Sequence, residues 1–382
     1  SFLPRKMLRL SFLLLLLSGA TAAQSPTRII VLSNERVPID TSGAPLFTGE
    51  TSVLRHGSFF YVYVNNWGGC ASVDCCASSG GCASCCYVPA TRAFPDACVF
   101  TANHSVVLYR TTDFATFDAL GVVLAPRDRD PPPHFHAGIE FRPHVVFNAV
   151  SQQFVMWFED RPTPINSTGY SVAVAAKAQG PFKVVARDVF VAATPGDFDL
   201  LVDDDGEAYF VQTTTNDPSA ANGFAVTRLD PTTFTSPSRR HNDSTRFVAP
   251  RPAEGPSFFK RNGVYYILAG TTCCACRGGS SIYVFTAPAP LGPWKFTEDV
   301  GSVQASSSKP FDPHSPNSYV TRAQASDVFN VGDDQWVWLG DQWVSGEGRR
   351  RNSDLLYWSL LDFNARGEIA QFTWRDHTSI HI

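Results

Sequence analysis

Short apolar runs, rich in β-branched and aromatic residues and broken by polar turns, recur from Arg28 to the end of the chain. That pattern predicts strands, and helical periodicity is scarce. The runs group into a repeating unit of an inner strand, a turn, an aromatic second strand and a more polar third strand. The clearest copy is Ala253-Glu-Gly-Pro-Ser-Phe-Phe-Lys-Arg-Asn-Gly-Val-Tyr-Tyr-Ile-Leu268. Its Asn262-Gly263 pair predicts a hairpin, because both central turn residues must tolerate φ > 0. Other copies begin near 51, 143, 199 and 327, with second strands at 59–64, 154–158, 208–212 and 336–339. Five copies predict an all-β fold, a five-bladed β-propeller spanning 28–382. A β-sandwich would give the same alternation, but less naturally the same aromatic second strand five times.

The first strand of a propeller blade lines the central channel, so residues at its entry converge on one mouth. The entries here are Glu50, Glu140, Asp197 with Asp199, Glu254 and Gln324. Any one of these could simply bond turn amides at a strand end. As a set they favour a site, and crowding should raise the pKa of at least one carboxyl. Such groups suit general acid work, or the binding of a cation or of sugar hydroxyls.

The residues Glu254-Gly-Pro-Ser-Phe-Phe-Lys-Arg-Asn-Gly-Val-Tyr-Tyr266 resemble a blade of glycoside hydrolase family 43, closest to its exo-β-1,3-galactanase-like branch. Similar stretches are Ile139-Glu-Phe-Arg-Pro-His-Val145, Asp197-Phe-Asp-Leu-Leu-Val-Asp-Asp-Asp-Gly206, Gln324-Ala-Ser-Asp-Val328 and Leu339-Gly-Asp-Gln-Trp343. Asp40-Thr-Ser-Gly-Ala-Pro45 resembles the opening of that branch, and the resemblance covers about 40–345. It implies an inverting glycosidase acting on galactose- or arabinose-type linkages in polysaccharides of the β-1,3-galactan kind. Glu254 would be the acid, Asp197 would tune and orient it, and Gln324 would occupy the base position. Glu140 would hold the sugar, and Glu50, Asp341 and Trp343 join it as candidates for substrate binding from the residues themselves. An amide is a poor base, so water activation would call on an unusual tautomer of the amide or on a neighbouring carboxylate, Glu50 or Glu140. Where the branch carries Ala-His-Gly-Gly-Gly, this chain has Thr48-Gly-Glu-Thr-Ser52, which removes a His and adds the Glu50 charge. The different-class alternative is a catalytically inactive carbohydrate-binding propeller.

Composition narrows the setting. A formal net charge of −4 gives no case for nucleic acid as a partner. Residues 1–24 hold a basic start, the apolar run Leu10–Leu17 and an Ala-x-Ala-like end, the pattern of a signal peptide. That run is too short to span a bilayer, so the mature protein is expected to be secreted without a membrane span. Ten cysteines, seven of them in an insertion over 68–98, then predict disulfides. The Cys-x-x-Cys pairs Cys82/Cys85 and Cys273/Cys276 would also fit a metal, the less favoured reading. His134 and His136 sit in a Pro-rich loop and read as solvated, so no residue is assigned to a metal or cofactor. Sequons at Asn103, Asn166 and Asn242 fit a secreted glycoprotein. Trp67 joins Trp343 as a candidate for stacking on a sugar face.

Overall fold

A computed structural model describes residues 28–66, 105–125, 139–161, 169–214, 222–271, 278–303, 319–343 and 354–382, with side chains of the third segment described over 142–159. The signal-peptide segment, the cysteines, Trp67, His134, His136, Asn103 and Asn166 lie outside the described residues, as does the side chain of Glu140.

Five antiparallel sheets make five blades. Blade 1 holds β2 (Ser52–His56), β3 (Phe59–Asn66), β4 (Ser105–Thr111) and β5 (Asp118–Leu124). Blade 2 holds β6 (Ile139–Asn148), β7 (Gln153–Arg161), β8 (Tyr170–Ala175) and β9 (Lys183–Val189). Blade 3 holds β10 (Phe198–Val202), β11 (Ala208–Thr213), β12 (Gly223–Arg228) and β13 (Ser244–Val248). Blade 4 holds β14 (Ala253–Arg261), β15 (Val264–Thr271), β16 (Tyr283–Ala287) and β17 (Lys295–Asp299). Blade 5 has three strands, β18 (Gln324–Gly332), β19 (Gln335–Gln342) and β20 (Leu355–Leu360). The inner strands touch in a closed circle, β2 to β6 to β10 to β14 to β18 and back to β2. The protein is therefore a five-bladed β-propeller.

The aromatic second strands follow from burial on both faces. In β11, Tyr209 and Val211 pack toward blade 4 while Ala208 and Phe210 pack toward blade 2. Each blade-to-blade interface is one apolar cluster, such as Trp157, Tyr170, Phe198 and Phe210 between blades 2 and 3. Burying a side chain of this size contributes about 1.5–3 kcal/mol. The hairpin at Asn262-Gly263 has φ of 50° and 79°, the mirror-image turn expected from that pair.

The ends of the ring are joined by a separate two-stranded sheet, β1 (Ile29–Ser33) with β21 (His377–His381). Beside it, Asn34 clamps the Trp358 backbone in β20, donating to its carbonyl at 3.0 Å and accepting from its N–H at 2.7 Å. Outer strands β9, β13 and β17 alternate between exposed and half-buried, which leaves little apolar signal in the sequence. No helix among the described residues is long and apolar enough to cross a membrane.

Candidate active site

Glu50 and Asp197 stand just before their inner strands, and Glu140, Glu254 and Gln324 within the first two residues of theirs. Three of these strands then break register at the same place, between Phe141 and His144, Glu254 and Ser257, and Ala325 and Asp327. A bulge bends a strand and re-aims the side chains beside it. Pro143 and Pro256 fall inside two of these bulges, where a missing N–H costs no ladder bond. Gly255 has φ of +62°, and a Cβ there would lie 3.3 Å from the Ala325 carbonyl oxygen and 3.7 Å from Asp197 Oδ2. Glu50 and Arg142 take φ of 46° and 51° without being glycine, a strained backbone of the kind that gathers at functional sites.

Residues from four blades come together here. The Gln324 amide nitrogen donates to Glu254 Oε1 at 3.0 Å and lies 3.5 Å from Asp197 Oδ2. Gln324 Oε1 accepts the indole N–H of Trp343 at 2.8 Å. Arg142, 2% exposed, sets Nη1 3.7 Å from Asp197 Oδ2 and donates to the carbonyls of Ala325 and Ser326 at 3.1 and 3.3 Å. Burial works against its charge, but Asp197, Glu50, Asp199 and Asp341 together raise its pKa above the ordinary arginine value.

Glu50 is the anomalous carboxyl. Burial, reinforced by the charges of Asp197 and Asp341 and opposed by Arg142, pushes its pKa up to about 8. Its Oε2 accepts from the Arg142 N–H at 2.9 Å and from Asn65 Nδ2 at 3.4 Å. Asp341 takes a bracing position, since its Oδ2 accepts the Glu50 N–H at 2.7 Å and the Ser326 hydroxyl.

Several expectations change in detail. Asp341 is 1% exposed and Trp343 is 4% exposed, so one braces Glu50 and the other holds the Gln324 amide. Asp199 leaves the mouth for a deeper position beside His144, whose Nδ1 is 2.7 Å from Asp199 Oδ1. Gln324 touches Glu254 at 3.0 Å, so an inverting pair, whose two carboxyl groups stand about 6.5–9.5 Å apart, would be made by Glu254 with a carboxyl group and not with this amide. Glu140 is placed through its backbone, opposite Asp160 in the ladder. Arg142 is the functional residue that sequence reasoning undervalued, and its signal was its place in Glu140-Phe-Arg-Pro143. Among the described residues no group of three or more His, Cys, Asp or Glu side chains is arranged to hold a metal.

A propeller with acid groups gathered from successive blades at one end of its channel is an architecture suited to work on glycosidic bonds. The profile described as Glycosyl hydrolases family 43 matches residues 94–353, more than half of the chain, and the chain belongs to that family. It is thus a glycosidase. Among solved structures it is similar to a family 43 β-1,3-galactosidase holding galactodeoxynojirimycin, with 18% identity, TM-score 0.67, 90% of this chain and 99% of that one. It is also similar to an exo-β-1,3-galactanase from Clostridium thermocellum, with 21% identity, TM-score 0.63 and coverage of 89%. A third is an exo-β-1,3-galactanase from Phanerochaete chrysosporium with galactose bound, at 19% identity, TM-score 0.66, 92% of this chain and 68% of that one. The chain spans 64% of the Clostridium protein. At these identities the structural likeness establishes the fold. No curated protein matches the chain.

Proposed function

We propose that the protein is an exported, inverting glycosidase that cleaves galactose- or arabinose-type linkages in polysaccharides of the β-1,3-galactan kind, with Glu254 as its acid. The observation that supports this reading is the convergence of Glu254, Asp197 and Gln324 from three blades at one channel end. Glu254 protonates the glycosidic oxygen as the bond to the anomeric carbon breaks, and the leaving sugar keeps that proton. Water attacks the same carbon from the opposite face and must give up a proton. The Gln324 amide nitrogen points at Glu254, so the proton goes elsewhere. Glu50 is the site carboxyl suited to take it. Its Oε1 makes no hydrogen bond to the described residues, and burial has raised its proton affinity. The Gln324 amide orients the acid, and Asp197, ion-paired with Arg142, lies 3.5 Å from the same amide nitrogen.

The direct test is incubation of the purified protein with β-1,3-galactan, arabinan and aryl glycosides, with proton NMR of the first product formed. Release of a sugar of inverted anomeric configuration is the expected result. A retained configuration sinks the inverting mechanism. Sugar binding without cleavage of any substrate would instead establish the binding propeller. Export rests on the signal-peptide pattern at 1–24 and the even cysteine count. Retention of the full chain inside a eukaryotic expression host would refute it.

A further inference from the structure

Glu254, Gln324 and Trp343 form a line of hydrogen bonds with one fixed polarity. An indole N–H can only donate, whereas a primary amide can present either end. Trp343 Nε1 lies 2.8 Å from Gln324 Oε1, which forces the oxygen of the amide toward the ring. The NH2 group then faces Glu254 Oε1 at 3.0 Å and Asp197 Oδ2 at 3.5 Å. Trp343 follows the last residue of β19, two places beyond Asp341, the cross-strand partner of Gln324. At 4% and 6% exposure, the ring and the amide have little water to substitute for these bonds.

We propose that Trp343 is a positioning residue that acts through Gln324 and sets the upper pH limit at which Glu254 can serve as the acid. The proposal rests on the reading of Glu254 as the acid. An amide NH2 donating to a carboxylate favours its charged form, and an amide oxygen favours the protonated form. The indole selects the first arrangement. Without it the amide can turn over, accept a hydrogen bond from protonated Glu254, and keep the acid loaded to higher pH. The catalytic cost of the native arrangement is an earlier loss of the acid. Its gain is a single orientation for a side chain that would otherwise have two.

The test is the pH profile of kcat/KM for Trp343→Phe against the parent protein, on a galactoside whose leaving group must be protonated. The basic limb should move up by about one unit, the worth of roughly one hydrogen bond. With a dinitrophenyl glycoside, whose leaving group needs no proton, the two proteins should share one basic limb. Gln324→Leu removes the donor itself and should give the same upward shift, which also covers a poorly folding Trp343→Phe protein. The double variant should show no further shift if the tryptophan acts only through the amide. Coincident basic limbs in the parent and both single variants overturn the proposal. Full activity of Glu254→Gln on the unactivated substrate overturns the acid reading beneath it, and that result is separately recognisable.

Discussion

The channel carries two layers of carboxyl groups, and Asp199 and Asp327 in one differ from Glu254 and Asp197 in the other in the kind of partner they have. In the deeper layer the partners are largely backbone. Asp199 accepts the N–H of Leu200 at 2.6 Å through Oδ1 and that of Phe258 at 2.6 Å through Oδ2. Asp327 accepts from Val328 at 2.7 Å and from Val53 at 2.6 Å. Each therefore bonds its own strand and the inner strand of the next blade, blade 3 to blade 4 and blade 5 to blade 1. At the mouth, Glu254 and Asp197 face the side chains of Gln324 and Arg142 instead. A carboxylate committed to two backbone amides is part of the frame. One held by side chains can exchange partners when a substrate arrives. Asp197 and Asp199 are two residues apart and belong to different layers, so proximity in sequence does not imply a shared role.

The contrast is broken most severely at Glu254. Glu254→Gln should lower kcat on an unactivated glycoside by about 10²–10⁴-fold, the range for loss of a positioned acid. Its melting temperature should stay within a degree or so of the parent, because a side-chain partner is exchanged for another of the same shape. A large loss of stability would move Glu254 into the framing layer.

Arg142 couples the two roles, since it carries Asp197 and also bonds the backbone of blade 5. Arg142→Met leaves Glu50, Asp197 and Asp341 without their common counter-charge. Breaking a buried ion pair from one side costs about 3–5 kcal/mol. Urea denaturation should register that loss together with the loss of activity. A variant that lost activity alone would show that the guanidinium is not needed for the frame.

For the deeper layer the order of effects reverses. Asp327→Ala leaves the part-buried N–H of Val53 and the buried N–H of Val328 without their acceptor, at about 1–3 kcal/mol for an unsatisfied buried group. Urea denaturation should show this loss while KM stays unchanged in the fraction that remains folded. A changed KM with undiminished stability would place Asp327 at the mouth.

Much of the frame was legible in the sequence because five aromatic second strands report burial on both faces. The fourth strands were not, since β9, β13 and β17 are half-exposed rims with weak apolar alternation. The β1–β21 closure was equally hidden, because a pairing between the two ends of the chain leaves no local pattern. At the mouth the entry residues could be found by position within each repeat. Their partners could not. The role of Trp343 depends on which edge of a ring faces an amide, and that of Asp341 depends on the backbone of a residue 291 positions away.

The smallest expected effect is the most specific to Glu50. Its pKa lies near 8 in the folded protein against an ordinary value of 4.5, so the fold favours its protonated form. The stability tied to that proton is complete below about 4.5 and is lost as pH rises to about 8. Asp327 contributes in the same direction, its pKa raised from 3.8 to about 7 mainly by burial and by the charge of Asp199. Between pH 7 and 8 the remaining loss belongs chiefly to Glu50. Glu50→Gln keeps an oxygen to accept the Arg142 N–H and carries no charge at any pH, so its melting temperature should fall less across that interval than the parent's. The same titration governs the proposed removal of a proton from water, which needs the charged form. Activity of the parent should therefore climb as pH approaches 8 from below, and that acidic limb should be absent from any residual activity of Glu50→Gln. Equal stability slopes with an unchanged acidic limb would return Glu50 to the frame, alongside Asp199 and Asp327.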